Sequence, residues 1–334
     1  MGAGRRVTIR DVAVRAGVTD MTVSRAVNGS GPVSEGVRKR VLEAIEELGY
    51  VPSRVARGLR SNRTHTLALI VTDVTNPFFT TIARGVEDAA SDRDHLLLLC
   101  NTDESEAEEL RYLEMLAGQG VDGVLFVPAR SGEAARELAA RHRLPLVILD
   151  RRISMPDLSV VRCDSEAGAA QMGRYLLDLG HREFTILAGP EGVPTSDDRV
   201  NGFVGALKET NARARVLHGQ FSNAWGREGV ERTLAEAPRT TAIFALNNFV
   251  TIGALQALYG RGVRVPEDVS LVGFDDLPSA MVGQPFLTVI SQPAYEMGRR
   301  AVDLLLAQLG NSGQPQEIVL PTDLVVRQSS GPPS

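Results

Sequence analysis

Near the start of the chain, Asp20, Met21, Thr22 and Arg25 stand at spacings that place them on the outer surface of one helix. Such side chains could read base edges. An arginine pairs with O6 and N7 of guanine, an aspartate accepts from the amino group of cytosine, and a methionine touches the methyl group of thymine. A second set is dispersed. Asp73, Asn76, Asp150, Thr195, Arg199, Asn247, Asp275 and Asp276 each lie just beyond an apolar run. Carboxylates, an arginine and carboxamides brought to one point suit a polyhydroxylated small molecule, because charged forks bridge neighbouring hydroxyls. Phe78, Phe79, Phe221 and Trp225 could wall such a site, with a ring against the apolar face of a sugar.

The base-reading set needs a rigid helix, and residues 8–50 can build one. Thr8 is placed to cap a first helix, with Asp11 three residues on completing a capping box. Gly17 supplies the permissive backbone of a tight turn, and Thr19 caps a second helix. Val12, Ala13, Val18, Val23 and Val27 are small or branched enough to pack two short helices steeply. Ser34 then caps a third helix whose stripe is Val37, Val41, Ile45 and Leu48, ending at Gly49-Tyr50. In a helix-turn-helix the second helix enters the major groove with its N-terminal side chains at the bases. Residues 51–63 are basic and poor in apolar surface. A helix over 53–61, capped by Ser53, would be too short to persist alone, and Gly58 weakens it further.

The dispersed set needs strand ends. From Thr66 the pattern changes to apolar strands alternating with amphipathic helices. The first series predicts strands at Leu67–Val71, Leu96–Cys100, Val124–Val127, Leu146–Leu149 and Val160–Val161. Its helices are Phe78–Ala90, Glu104–Gln119 and Glu133–His142. The second predicts strands near Phe184–Ala188, Val216–Leu217, Ala242–Ala245 and Val269–Gly273, with helices near Ser165–Leu179, Arg199–Asn211, Trp225–Glu236 and Phe249–Arg261. Near-continuous apolar strands between helices mean parallel sheets covered on both faces. In such sheets ligands bind beyond the carboxyl ends of the strands. An aspartate there could instead cap the next helix, an alternative open for Asp73 and Asp276.

The run Thr8-Ile9-Arg10-Asp11-Val12-Ala13, with Thr22-Val23-Ser24-Arg25, Asn28-Gly29, Glu47-Leu48-Gly49-Tyr50-Val51-Pro52 and Val55-Ala56-Arg57-Gly58-Leu59-Arg60, resembles the lactose-repressor/galactose-repressor (LacI/GalR) family of bacterial transcription regulators. The likeness continues from Asn76-Pro77-Phe78-Phe79 to about Arg327. It implies a three-helix helix-turn-helix head at 1–50 and a hinge at 51–63. It also implies an α/β core of two doubly wound parallel-sheet lobes resembling periplasmic sugar-binding proteins. The first lobe would hold 64–164 and 292–322, the second 165–291 and 323–334, with chain crossings near Asp164, Ser291 and Thr322. Tyr295–Leu309 and Ile318–Leu320 would return to the first lobe. Implied DNA contacts come from Thr19, Asp20, Met21, Thr22, Arg25 and Asn28, and from Arg54, Ala56, Arg57, Leu59 and Arg60 of the hinge. Leu59 would wedge into the minor groove and arginines, Arg5, Arg6 and Arg10 among them, would meet phosphates. In the cleft the resemblance supports Phe78, Asp150, Arg199, Phe221, Asn247 and Asp275. The family usually has Asn-Asp where this chain has Asn247-Asn248, which bears on ligand class or a helix cap. Purine-binding relatives carry an arginine where this chain has Val193.

Composition agrees with a nucleic-acid head on a sensor. Residues 1–63 carry 12 Lys+Arg against 6 Asp+Glu, whereas the remaining residues carry 24 against 35. The overall charge of −5 hides that division. Cys100 and Cys163 have no metal-ligand spacing, and neither do the five histidines. No phosphate loop, dinucleotide fingerprint or nucleophile elbow is present. The expectation is therefore a cytoplasmic, homodimeric, ligand-responsive regulator, with no catalysis, metal, cofactor or membrane segment. Its partners would be a palindromic double-stranded operator and a sugar-like effector, most simply an inducer of a carbohydrate-use operon. A metabolite corepressor and a periplasmic sugar-binding protein are the alternatives; the basic head and the missing signal peptide oppose the latter. No leucine heptads follow the core, so the simplest assembly is a dimer.

Overall fold

The computed structural model describes residues 7–28, 31–50, 63–277, 285–310 and 313–334. It divides into two compact units, Met1–Thr64 and His65–Ser334. The first holds α1 (Ile9–Ala16), α2 (Asp20–Asn28) and α3 (Glu35–Leu48). Thr8 and Asp11 form the capping box, and Gly17 ends α1 in the left-handed region at φ 66°. Thr19 Oγ1 accepts from the Thr22 amide, so it caps α2. Ser34 occupies the cap position of α3, but its side chain accepts no bond from the helix, which corrects the sequence expectation of a side-chain cap. Val12, Ala13, Val23, Ala26, Val41 and Ala44 form the core of this unit. The Arg40 Nε–H donates to the Ala16 carbonyl, tying α3 to the end of α1.

The second unit contains two sheets. The first runs β1 (Thr66–Val71), α4 (Pro77–Ser91), β2 (Leu96–Asn101), α5 (Glu106–Gln119), β3 (Gly123–Phe126), α6 (Glu133–His142), β4 (Leu146–Leu149) and β5 (Ser159–Cys163). Next come α7 (Ser165–Asp178), β6 (Glu183–Ala188), α8 (Pro194–Leu207), β7 (Arg213–His218), α9 (Asn223–Glu236), β8 (Ala242–Ala245), α10 (Asn248–Gly260), β9 (Ser270–Phe274) and β10 (Thr288–Ser291). The chain ends with α11 (Ala294–Leu309), β11 (Glu317–Leu320) and β12 (Asp323–Val325). Strand order is β11-β5-β4-β3-β1-β2 in one sheet and β12-β10-β9-β8-β6-β7 in the other. All neighbours are parallel except β12, which runs antiparallel to β10. Each sheet thus takes one late strand from the C-terminal part, and α11 packs with α4 on the first sheet.

Each sheet is buried on both faces by helices, and each face has its own apolar cluster. This is why the central strands are apolar throughout: β1 and β9 have hardly an exposed residue. The edge strand β7 alternates instead, Arg213-Ala214-Arg215-Val216, and therefore reads as shorter in sequence than it is. The helix pairs approach closely through glycine. A Cβ on Gly85 would lie 2.1 Å from the Tyr295 carbonyl oxygen, and one on Gly202 would lie 2.0 Å from that of Glu166. Among the described residues no helix is long and apolar enough to cross a membrane.

Candidate functional site

In the head, α2 buries Val23 and Ala26 and leaves the other side free. Thr19, Asp20, Met21 and Arg25 are exposed, Met21 by 53%, and Thr22 is half-buried beside its cap. Arg10, on α1, is exposed as well. The predicted base-reading side chains therefore lie on the face of α2 that the core does not use. Arg5, Arg6, Arg54, Ala56, Arg57, Leu59 and Arg60 lie outside the described residues, as does the side chain of Asn28.

In the two-sheet unit, a cavity of about 310 Å³ lies between the lobes. Asp73, Asn76, Phe78, Asp150, Thr195, Arg199, Phe221, Asn247 and Asp275 all line it. Topology explains the convergence, since the carboxyl ends of β1, β4, β6, β8 and β9 all open onto this space. Asp276 sits beside it but is held in a bidentate pair with Arg327, at 2.8 and 2.6 Å. Asp73 caps no helix among the described residues, and the residues that follow Leu277 lie outside them, so the capping alternative for Asp276 does too. The Asp73 carboxylate accepts from the amide and hydroxyl of Thr75, and Asn76 caps α4 instead. Asn247 caps α10 by accepting from the amides of Phe249 and Val250. Phe79 is a wall residue as well as core, whereas Trp225 is not a wall. Its ring packs where a Gly219 Cβ would stand and its indole N–H donates to the Ala188 carbonyl.

Arg199 sits in the second turn of α8, which starts at Pro194 and not at Arg199 as the sequence pattern predicted. A proline at the first helical position was the available signal. The Arg199 side chain is nearly buried, with Nη1 donating to the Leu246 carbonyl at 2.6 Å and lying 3.9 Å from Asp275 Oδ2. Its guanidinium rests 3.8 Å from the centre of the Phe274 ring. Asp275 also accepts from Gln292. Burial pushes the Asp275 carboxyl above its ordinary range, against the opposing pull of Arg199. Burial also pushes Asp150 upward, against Arg151 and then Arg199. Asp150 Oδ1 and Arg199 Nε are buried with no hydrogen-bond partner among the described residues. A buried polar atom left without a partner is costly, and a ligand hydroxyl at that atom would remove the cost.

Several wall residues were not anticipated: Thr72, Asp103, Glu104, Arg130, Arg151, Pro190, Gln220 and Phe249. Asp103 and Glu104 follow β2, and Arg130 follows β3, so the strand-end rule would have found them had it been extended to every strand. Arg151 donates to the Ala129 carbonyl and to Glu104, fixing the far wall. Asp103, Glu104, Asp150 and Asp275 all have positive φ, between 50° and 72°. Left-handed backbone at non-glycine residues costs of the order of 1–3 kcal/mol each and gathers at functional sites. Val193 also lines the cavity, so that wall is apolar.

Such a chain is a helix-turn-helix head joined to a two-lobed small-molecule receptor. Residues 8–53 match the family model of bacterial regulatory proteins of the lacI family. Residues 64–327 match that of periplasmic binding proteins and the sugar-binding domain of the LacI family. The chain is 35% identical to the ribose operon repressor of Halalkalibacterium halodurans, over 97% of each sequence. It is 34% identical to the transcriptional repressor PurR of Aliivibrio salmonicida, over 96% of this chain and 98% of that one. Among solved structures, the lac repressor dimer bound to operator and the anti-inducer ONPF superposes with a TM-score of 0.88 at 27% identity, covering 98% of this chain and 100% of that one. The chain belongs to the LacI family: it is a DNA-binding transcription regulator, not an enzyme.

Proposed function

We propose that the protein is a cytoplasmic, homodimeric repressor of a carbohydrate-use operon, released from a palindromic operator when a sugar or sugar derivative enters the cleft. The observation that carries the sugar reading is the pairing of partnerless buried Asp150 Oδ1 and Arg199 Nε with the rings of Phe78 and Phe221 around one cavity. Acceptor, donor and apolar face stand together, as a polyol requires. In this reading Asp150, Arg199, Asn247 and Asp275 take hydroxyls, Asp73, Asn76 and Thr195 complete the polar rim, and the two rings stack. Similarity to a ribose operon repressor supports the class. Similarity to PurR favours a second reading, a purine-like corepressor. The apolar Val193 on the cavity wall argues against it.

In the head, α2 would read bases through Asp20, Met21, Thr22 and Arg25, with Thr19 and Asn28 at its ends. The hinge at 51–63 would place Leu59 in the minor groove, flanked by Arg54, Ala56, Arg57 and Arg60. The exposed Leu96, Leu98 and Leu99 of edge strand β2 offer the first lobe an apolar face for a second copy. A ligand that changes the angle between the lobes would misalign two such hinges; a coupling of about 1–3 kcal/mol is typical.

A thermal-shift screen of free sugars, sugar phosphates and nucleobases tests the reading. A free sugar at about 100 times its Kd stabilises the folded chain by about 2.7 kcal/mol. The same sugar should release operator DNA in a fluorescence-anisotropy titration. A nucleobase that both stabilises the chain and tightens the operator complex would overturn the inducer model.

A further inference from the structure

Asn248 opens α10 in the second lobe, and Asn76 precedes α4 in the first. Both are buried, at 1% and 4% exposure. Asn248 Nδ2 donates across the cleft to Asn76 Oδ1 at 2.8 Å. The orientation of each carboxamide is fixed by its own chain. Asn76 Oδ1 must face the Phe78 amide, which donates to it at 2.9 Å. Asn248 Oδ1 accepts from the Phe249 amide at 2.7 Å. With both oxygens assigned, Nδ2 of Asn248 is the group left to cross between the lobes. Nδ2 of Asn76 has no acceptor among the described residues, and Asn76 lines the cavity.

We propose that Asn248 is a positioning residue: it latches the two lobes and holds the Asn76 carboxamide with its N–H donors toward the cavity. Closure and the donor pattern offered to a ligand then form together. Other contacts between the lobes include Arg152 Nη2 to Asp198 Oδ1 at 2.7 Å and Arg130 Nη1 to the Glu191 carbonyl at 3.3 Å. Both arginines reach solvent, where ion pairs and hydrogen bonds count for less. The asparagine pair is buried, at 1% and 4% exposure, and its chemistry is directional. A carboxylate at 248 has no donor and would face the Asn76 oxygen. A carboxylate at 76 can still accept from both Phe78 and Asn248.

That asymmetry provides a test that needs no ligand. Spin labels on Glu133→Cys and Glu191→Cys, exposed residues of the first and second lobes, report the distance between lobes by double electron–electron resonance; Cys100 and Cys163 are buried. Asn248→Asp should shift the distances outward, lowering the closed-to-open ratio about tenfold, the usual scale for an unmet buried polar group. Asn76→Asp, the same isosteric exchange, should keep the wild-type distances. Equal shifts for the two variants, or none for Asn248→Asp, would overturn the proposal, because a role in shape alone treats both exchanges alike. Should Asn248→Asp fail to fold, Asn248→Ala carries the same test. Opening is expected in the wild-type background and no further opening beside Asn76→Ala; equal effects in both backgrounds would refute the latch.

Discussion

Replacing Arg199 by alanine should destabilise the second lobe, and the loss should grow with pH. The guanidinium lies 3.9 Å from Asp275 Oδ2, both groups nearly buried. At an effective dielectric constant of about 20 that attraction is worth about 4 kcal/mol. Truncating one member of a buried pair typically costs about 3–5 kcal/mol, because the other charge stays buried. Asp275 would keep Gln292 as a donor but lose the group that most opposes the upward push of burial. Its carboxyl would then take a proton to escape the cost. A carboxyl whose folded-state pKa is raised above its unfolded value binds an extra proton in the folded chain, so stability falls as pH rises through that interval. The variant should therefore lose up to about 1.4 kcal/mol per pH unit relative to wild type between the already raised Asp275 pKa of the wild-type chain and the higher one of the variant. The fluorescence of Trp225, the sole tryptophan and a core residue of the same lobe, reports the unfolding. Urea titrations of the ligand-free chain at pH 5 and pH 7.5 suffice. Adding Asp275→Asn should reduce the pH dependence, leaving the share of Asp150, whose carboxyl also loses the opposing pull of Arg199. An Arg199→Ala variant within about 0.5 kcal/mol of wild type at both pH values, the ordinary range for surface substitutions, would refute the buried-pair reasoning.

Two further predictions concern other parts of the molecule. Glu109 is buried on α5 and accepts from the Ala129 amide; burial pushes its carboxyl up to about 7, with Glu106 and Glu104 adding to the rise and Arg151 opposing it. The wild-type chain should lose stability as pH rises from about 4.5, the ordinary value, through about 7. Glu109→Gln should remove that slope, and calorimetric midpoints at pH 5 and 7.5 that fall equally in both chains would contradict it. In the head, Arg25→Ala should relax the preferred operator sequence at one base pair per half-site, at a cost of about 1–3 kcal/mol for the favoured base. An in vitro selection that returns an unchanged motif would remove Arg25 from the base-reading set.

The two-sheet fold was legible because burial on both faces makes central strands apolar throughout, and β1, β4, β8 and β9 carry that signature. The strand signal faded where one face meets solvent or the pairing is brief. β7 alternates arginine with alanine and valine, β10 is four residues long and β12 three, and the sequence pattern marks neither of the last two as a strand. The cleft was legible for a related reason. A strand end is a local feature, so Asp73, Asp150, Asn247 and Asp275 could be placed on one side of the sheets without knowledge of how the lobes meet. What sequence does not encode locally is which polar group answers which. Asp276 and Asp275 are adjacent, yet a left-handed backbone at Asp275 sends one toward Arg199 and lets the other pair with Arg327. Asn248 gave the same lesson from the other direction. As a departure in sequence it signified a lost carboxylate, and only its distance to Asn76, 172 residues earlier, turns that loss into a gained donor between the lobes.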